Sequence, residues 1–241
     1  MSNSKLVTYK KLSPNYSSRN GKKISKITIH HMAGNLTVKQ CGNVFASSAR
    51  QASSNYAVDN NGDVGLYVDE KYRAWTSSNR ANDEVAVTIE VANDGGAPDW
   101  HVSDKALQKT IDLCVDICQR NGIKKLNYNG KTSGNLTRHN MFAATSCPGK
   151  YLQSKFEYIE AEVNKRLAEP KKTTTTTNKT SSYKVKVTAD VLNVRAGAGT
   201  KYKVNTQVKK GEIYTIVSTS GDWGKLKSGA GWIHLGYTKR V

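Results

Sequence analysis

Three side chains in this 241-residue sequence are of the types that grip a borderline metal, and their placement suits one shared ion. His30 closes the alternating run Lys26-Ile27-Thr28-Ile29-His30, and far downstream His139 stands eight residues before Cys147 in Ser146-Cys147-Pro148-Gly149. Two imidazoles and one thiolate suit zinc and leave its fourth tetrahedral position open, which marks a catalytic rather than a structural site. Zinc brings the pKa of bound water down to about 7 and polarises a carbonyl, the two things that amide hydrolysis at neutral pH requires. Glu90 interrupts an otherwise apolar run and could take the water's proton. Tyr56 could donate a hydrogen bond to the developing oxyanion. Both have plainer readings: Glu90 as a carboxylate paired with an Arg or Lys, Tyr56 as an ordinary strand tyrosine.

Strands must carry these groups. Side chains alternate along a strand, so His30 faces away from Ile27 and Ile29, and the adjacent His31 must face the other way. In the run from Val85 to Val91 the same alternation sets Val85, Val87, Ile89 and Val91 on one face and Ala86, Thr88 and Glu90 on the other. Tyr56 to Val68, with Asp59-Asn60-Asn61-Gly62-Asp63 in its middle, has the chemistry of a hairpin. Helical spacing appears at Val38, Cys41, Val44 and Phe45, again at Leu107, Ile111, Cys114, Val115 and Cys118, and again at Leu152, Phe156, Ile159, Val163 and Leu167. Ser103 is placed to cap the second of these helices. Strands and helices interleave, so the expected fold is α/β, a central mixed β-sheet flanked by helices. Cys114 and Cys118, four apart, fall on the apolar stripe and read as core, as does Cys41.

The chain changes character after residue 168. Glu169-Pro170-Lys171-Lys172 leads into five threonines, Thr173 to Thr177, and on to Ser182, a stretch with nothing apolar to bury that reads as a flexible linker. The expected division is a catalytic domain over 1–168, a Thr-rich linker over 169–182 and a second domain over 183–241. In the last, short β-rich runs at Tyr183–Val187, Val191–Arg195, Val204–Val208, Ile213–Val217, Trp223–Leu226 and Gly231–His234 alternate with glycine-bearing turns, the pattern of a small all-β barrel.

A formal net charge of +18 gives the molecule a positive field that attracts polyanions, whether nucleic acid, anionic membrane or a teichoic-acid-bearing wall. The lysines are scattered and no recognised nucleic-acid motif appears, so a nucleic-acid partner is not expected. No run reaches the roughly 18 apolar residues that a membrane span needs. The first twenty-odd residues are polar and basic, unlike a secretory signal, so the expectation is synthesis in a reducing cytosol with the four cysteines free.

In order along the chain, Ile27-Thr28-Ile29-His30-His31-Met32-Ala33-Gly34, Asn55-Tyr56, Val87-Thr88-Ile89-Glu90-Val91 and Arg138-His139 through Thr145-Ser146-Cys147-Pro148-Gly149 resemble the signature blocks of the type 2 amidase family. That family includes phage amidases and the peptidoglycan recognition proteins. The resemblance implies that His30, His139 and Cys147 hold Zn2+, with Glu90 as general base and Tyr56 as the site tyrosine. Thr145 stands where some members have a lysine, so it is assigned substrate positioning. The implied reaction cuts the amide between the lactyl group of N-acetylmuramic acid and L-alanine in peptidoglycan. Trp75 and His101 are candidates for lining the substrate groove, with surface or packing roles as the alternative.

The last segment resembles the bacterial SH3 domain family, through Leu192-Asn193-Val194-Arg195-Ala196-Gly197-Ala198-Gly199-Thr200, Gly221-Asp222-Trp223-Gly224-Lys225-Leu226 and Gly229-Ala230-Gly231-Trp232-Ile233-His234. This implies a wall-binding module, and its eleven Lys and Arg against three Asp and Glu add attraction to associated wall polyanions. His234 reads as structural. The architecture together implies an endolysin that reaches the wall after holin-type release. A recognition module that binds peptidoglycan without cutting it is the rival, against which the presence of Cys147 argues.

Overall fold

The computed structural model of the chain describes residues 2–169, 182–200, 202–220 and 222–241. The chain divides into two compact units, Met1–Lys172 and Thr173–Val241. Apart from Glu169 and Ser182, the expected Thr-rich linker lies outside the described residues.

The first unit runs β1 (Tyr9–Lys10), β2 (Tyr16–Ser18), β3 (Lys26–His31), α1 (Val38–Phe45), β4 (Tyr56–Val58), β5 (Val64–Leu66), β6 (Tyr72–Ala74), α2 (Arg80–Asp83), β7 (Ala86–Val91), α3 (Asp104–Asn121), β8 (Leu136–Arg138), α4 (Lys150–Ser154) and α5 (Phe156–Ala168). Six of the strands form one mixed sheet in the order β1-β5-β4-β7-β3-β8, and β2 pairs with β6 beside it. This is the α/β architecture that the interleaved pattern predicts. β3 and β7 lie parallel, with Ile27 opposite Val87, Thr28 opposite Thr88, Ile29 opposite Ile89 and His30 opposite Glu90. Opposed residues share a face. Ile27, Ile29, Val87 and Ile89 therefore join Leu136 and the buried sides of α3 and α5 in the main core. Each such side chain contributes roughly 1.5–3 kcal/mol by leaving water.

α3 starts where Ser103 Oγ accepts the Ala106 N–H at 3.2 Å and ends at Gly122, whose φ of 72° is left-handed. The apolar stripe from Leu152 to Leu167, which predicts a single helix, is divided into α4 and α5: the Lys155 N–H closes a tight turn onto the Leu152 carbonyl, and α5 begins anew behind it. Leu152 and Phe156 still bury completely on either side of the break. β1, β2, β6 and β8 are only two or three residues long, too short for a periodic signal.

The other face of the sheet is polar beneath and apolar to one side. Thr28 and Thr137 hydroxyls pair at 2.9 Å, Asn82 Nδ2 donates to Thr28 Oγ1, and Thr88 pairs with Thr76 at 2.8 Å. α1, opened by a reciprocal Thr37 and Gln40 cap, buries Cys41 and Phe45 against Ala57 and Tyr67. No helix among the described residues is long and apolar enough to cross a membrane.

The second unit is all β: β9 (Tyr183–Val187), β10 (Val191–Arg195), β11 (Val204–Lys209), β12 (Ile213–Ser220), β13 (Trp223–Leu226), β14 (Trp232–His234) and β15 (Thr238–Arg240). They form one sheet in the order β11-β10-β14-β13-β12-β9-β15 around Val185, Val187, Leu192, Val194, Val208, Ile216, Leu226 and Ile233. β15 has no counterpart in the sequence reading.

Glu84, just ahead of β7, ties the first unit together at its N-terminal side. Its carboxylate takes Lys22 Nζ at 2.8 Å, Arg80 Nε at 2.9 Å and Asn20 Nδ2 at 2.7 Å. The hydrogen bonds from Lys22 and Arg80 hold it down to about 2, against an ordinary value of 4.5. A depressed carboxylate contributes stability that is present above the unfolded value and lost as pH falls toward the folded one. The denaturant midpoint should therefore fall between pH 4.5 and about 2, and Glu84→Gln should flatten that limb. An unchanged slope in the variant would remove Glu84 from acid sensitivity.

Candidate metal centre

His30 sits at the C-terminal end of β3 on the face away from the main core, and His139 directly follows β8, the other parallel neighbour of β3. Strand pairing thus brings two imidazoles together from residues more than a hundred positions apart. Their ring centroids are 4.6 Å apart, and Cys147 Sγ lies 3.7 Å from His30 Nδ1. One donor atom from each of His30, His139 and Cys147 lies within 4.8 Å of the other two. Tetrahedral zinc, with bonds of about 2.0–2.3 Å, asks for donors roughly 3.3–3.8 Å apart, so small side-chain adjustments close the cluster on one ion. The fit is chemical as well: Nε2 of both His30 and His139 is buried without a hydrogen-bond partner. An unpaired buried nitrogen is costly, and a cation would relieve that cost.

The electrostatics favour the neutral imidazoles that a metal takes. Burial, and then the proximity of His139 and His31, hold His30 well below the usual histidine range. Burial lowers His139 too, with Asp83 pulling the other way. The Cys147 thiol is pushed up by burial and by Glu90. Its loop is fixed by the Cys147 N–H donating to Thr145 Oγ1 at 3.2 Å, the Asn140 N–H donating to the Cys147 carbonyl at 3.1 Å, and the His31 N–H donating to Sγ at 3.4 Å. Gly149 completes the turn with φ of 87°; a Cβ there would stand 2.5 Å from Trp100 Cβ. Trp100 in turn meets the His31 ring edge-on at 5.0 Å.

The cluster lies in the wall of a cavity of about 390 Å³. Glu90 lines it beside His30, with Oε2 unpartnered and no ion pair among the described residues. Burial pushes Glu90 up to about 8, while Arg50, also in the wall, pulls it down. The plainer reading of Glu90 as half of a structural ion pair has no counterpart here. Trp75 and Thr145 both line the cavity. The Trp75 indole donates to Ser17 Oγ at 3.2 Å, and the following turn is held by Thr76 and Ser77 N–H groups on Asp83 Oδ2, each at 3.1 Å. Leu36, Val44 and Phe45 form an apolar wall that the sequence reading left out, as it did Arg50. Val44 falls on the same apolar stripe as Val38, Cys41 and Phe45, and only the fold leaves it 42% exposed.

Comparison with known proteins places residues 20–150 in the family model described as N-acetylmuramoyl-L-alanine amidase and residues 190–239 in that of the bacterial SH3 domain. A curated relative, a putative N-acetylmuramoyl-L-alanine amidase YrvJ of Bacillus subtilis (strain 168), is 42% identical over 45 residues, which are 19% of this chain and 9% of that protein. The chain thus spans under a tenth of that relative's length. Among solved structures, Staphylococcus aureus hydrolase AmiA in complex with its ligand superposes with a TM-score of 0.52 at 18% identity, covering 66% of this chain and 80% of that one. A mutant endolysin from Bacillus subtilis gives 0.51 at 16%, covering 65% and 99%. At these identities the likeness speaks to the fold alone.

Two expected site residues are not at the cavity. Tyr56 pairs with Ile89, not with Glu90, so it turns into the main core, fully buried. Its hydroxyl donates to Glu70 Oε1 at 2.7 Å and accepts the Ser4 N–H at 2.9 Å. Glu70 also takes Arg120 at 2.6 Å, closing a buried network that leaves no proton of Tyr56 for an oxyanion. His101 is exposed, bonded to Asp94 at 2.5 Å and stacked 4.1 Å from Tyr151, outside the residues that line the cavity. Tyr56→Phe should therefore lower stability by about 1–3 kcal/mol, the cost of an orphaned buried partner, while leaving the zinc affinity of the cluster unchanged. Denaturant unfolding and a competitive zinc titration check the two halves, and a selective loss of zinc would return Tyr56 to the site.

Proposed function

The chain belongs to the N-acetylmuramoyl-L-alanine amidase family, and we propose that it hydrolyses the amide between the lactyl group of N-acetylmuramic acid and L-alanine in peptidoglycan, with zinc held by His30, His139 and Cys147. The observation that carries this reading is the convergence within 4.8 Å of a thiol and two imidazoles whose Nε2 atoms lack partners, in a cavity wall that also holds the unpartnered Oε2 of Glu90. When bound, zinc would supply Lewis acidity, bringing water toward a pKa of about 7 and polarising the scissile carbonyl.

The chain's own residues do the rest. Glu90 Oε2, unpartnered beside His30, takes a proton from the attacking water as the new C–O bond forms, and returns it to the nitrogen of L-alanine as the C–N bond breaks. Leu36, Val44, Phe45 and Trp75 line the space that would take the substrate. Thr145 holds the Cys147 N–H and so fixes the sulfur. The second unit serves as the wall anchor, raising the concentration of the first at its polymer. The same reading makes the protein endolysin-like, working on the wall after release through a membrane lesion made by another protein.

Mass analysis of digested peptidoglycan is the direct test: an amidase frees stem peptides with a new L-alanine amino terminus, whereas new reducing sugars would refute the reading. Chelation followed by zinc add-back should abolish and restore clearing of a wall suspension. Glu90→Gln should cut turnover by about 10²–10⁴-fold with zinc content unchanged; full lytic activity in that variant would take the carboxyl out of the reaction.

A further inference from the structure

The second unit carries an arrangement that its own stability does not favour. On β9 the side chains alternate, Val185 and Val187 buried, Lys184 and Lys186 exposed. β15 lies antiparallel to β9 with Lys239 directly opposite Lys186. Directly opposed side chains share a face at a Cβ separation of about 4.5–5.5 Å, and like charges there are destabilising. Lys184, two residues along the same strand, adds a third ammonium to that face about 7 Å away. On the other side of Lys186 stands Ile213 of β12, 55% exposed.

Among the described residues none of Lys184, Lys186 and Lys239 forms an ion pair; the Val241 N–H donates to the Lys184 carbonyl at 3.0 Å, which sets the terminal carboxylate beside the Lys184 end of the face, and the three acidic side chains of the unit are placed elsewhere. Asp190 pairs with Lys210 at 3.1 Å, Glu212 accepts the Lys209 N–H and the Tyr214 hydroxyl, and Asp222 sits in the turn ahead of β13. Tyr183 and Tyr214 alternate to the inner side, packed against the core, so this face lacks the rings on which nucleobases stack.

We propose that the outward face of β9 and β15, through Lys184, Lys186 and Lys239, docks an anionic wall polymer whose repeats are joined by phosphodiesters. A flexible polymer with one charge per repeat needs no shaped pocket, only closely set cations, and it relieves the repulsion that the opposed lysines impose. The assignment deepens the wall-anchoring role given to this unit and rests on it.

The test uses the full chain and purified Gram-positive walls, either intact or stripped of phosphodiester polymer by acid. K186Q/K239Q is compared with K203Q/K209Q, which removes equal charge at β11, the other end of the strand order. The face assignment requires K186Q/K239Q to bind intact walls about tenfold more weakly at low salt, to bind stripped walls as the wild type does, and to melt no lower than it. K203Q/K209Q should lose much less. Equal losses in the two variants would mean diffuse charge and overturn the assignment, as would wild-type binding of intact walls by K186Q/K239Q. A variant that loses duplex DNA while keeping intact walls would hand the face to nucleic acid. A chain that sediments with neither wall preparation would overturn the anchoring role itself, a result distinct from the failure of this face alone.

Discussion

The parallel register of β3 and β7 is the constraint on which the site depends. Because Ile27 opposes Val87 and Ile29 opposes Ile89, the core face is filled by apolar pairs, and the intervening positions, Thr28 with Thr88 and His30 with Glu90, must share the other face. A slip of one residue would drive a histidine and a carboxyl into the core and expose the isoleucines, at a cost of many kilocalories per mole. The hydrophobic effect, which has no direction of its own, thus fixes the placement of the His30 imidazole beside the Glu90 carboxyl. β8, pairing with the far side of β3, delivers His139 by the same means.

The second ingredient is that these groups are dry and unpaired. Elsewhere on that face most polar side chains pair, Thr28 with Thr137 and with Asn82 Nδ2, Thr88 with Thr76, Asp83 with the turn that follows Trp75, while Asn82 Oδ1 stays without a partner. At the mouth of the same face the pairing stops, and His30 Nε2, His139 Nε2 and Glu90 Oε2 are left without partners. Three such atoms converging on one cavity are costly to the protein alone, and a ligand that met all three would relieve that cost.

What the sequence revealed follows from how strands and helices report themselves. β3 and β7 are long enough to alternate, so the faces of His30 and Glu90 are legible, whereas His139 and Cys147 join them only through the family resemblance of their block. Tyr56 takes the core side, and there is a physical reason why the sequence does not show it. β4 is three residues, Tyr56-Ala57-Val58, all apolar and all buried, and a strand covered on both faces carries no pattern to say which side a given residue takes. Ala57, not Tyr56, opposes Glu90. His101 follows Trp100, whose left-handed φ of 54° turns the chain, and Asp94 then captures the ring at the surface. Neither a turn of that kind nor a partner seven residues away is written in composition or period.

The four cysteines show that residue type and burial do not by themselves make a metal site. All four are free and buried. Cys114 and Cys118, one helical turn apart on α3, have the spacing of a ligand pair, yet both pack in the main core, where burial pushes Cys118 up to about 12 and Cys114 well above the usual thiol range. A thiol in such surroundings has no route to thiolate and no second kind of donor beside it, so it behaves as a small hydrophobe. Cys147 feels a similar cost of burial, but two imidazoles face it across less than 5 Å, and a divalent cation set among the three would offset the cost of the thiolate that it would create. The difference lies in company, and the company is set by strand pairing: His30 and His139 are neighbours only because β3 and β8 are.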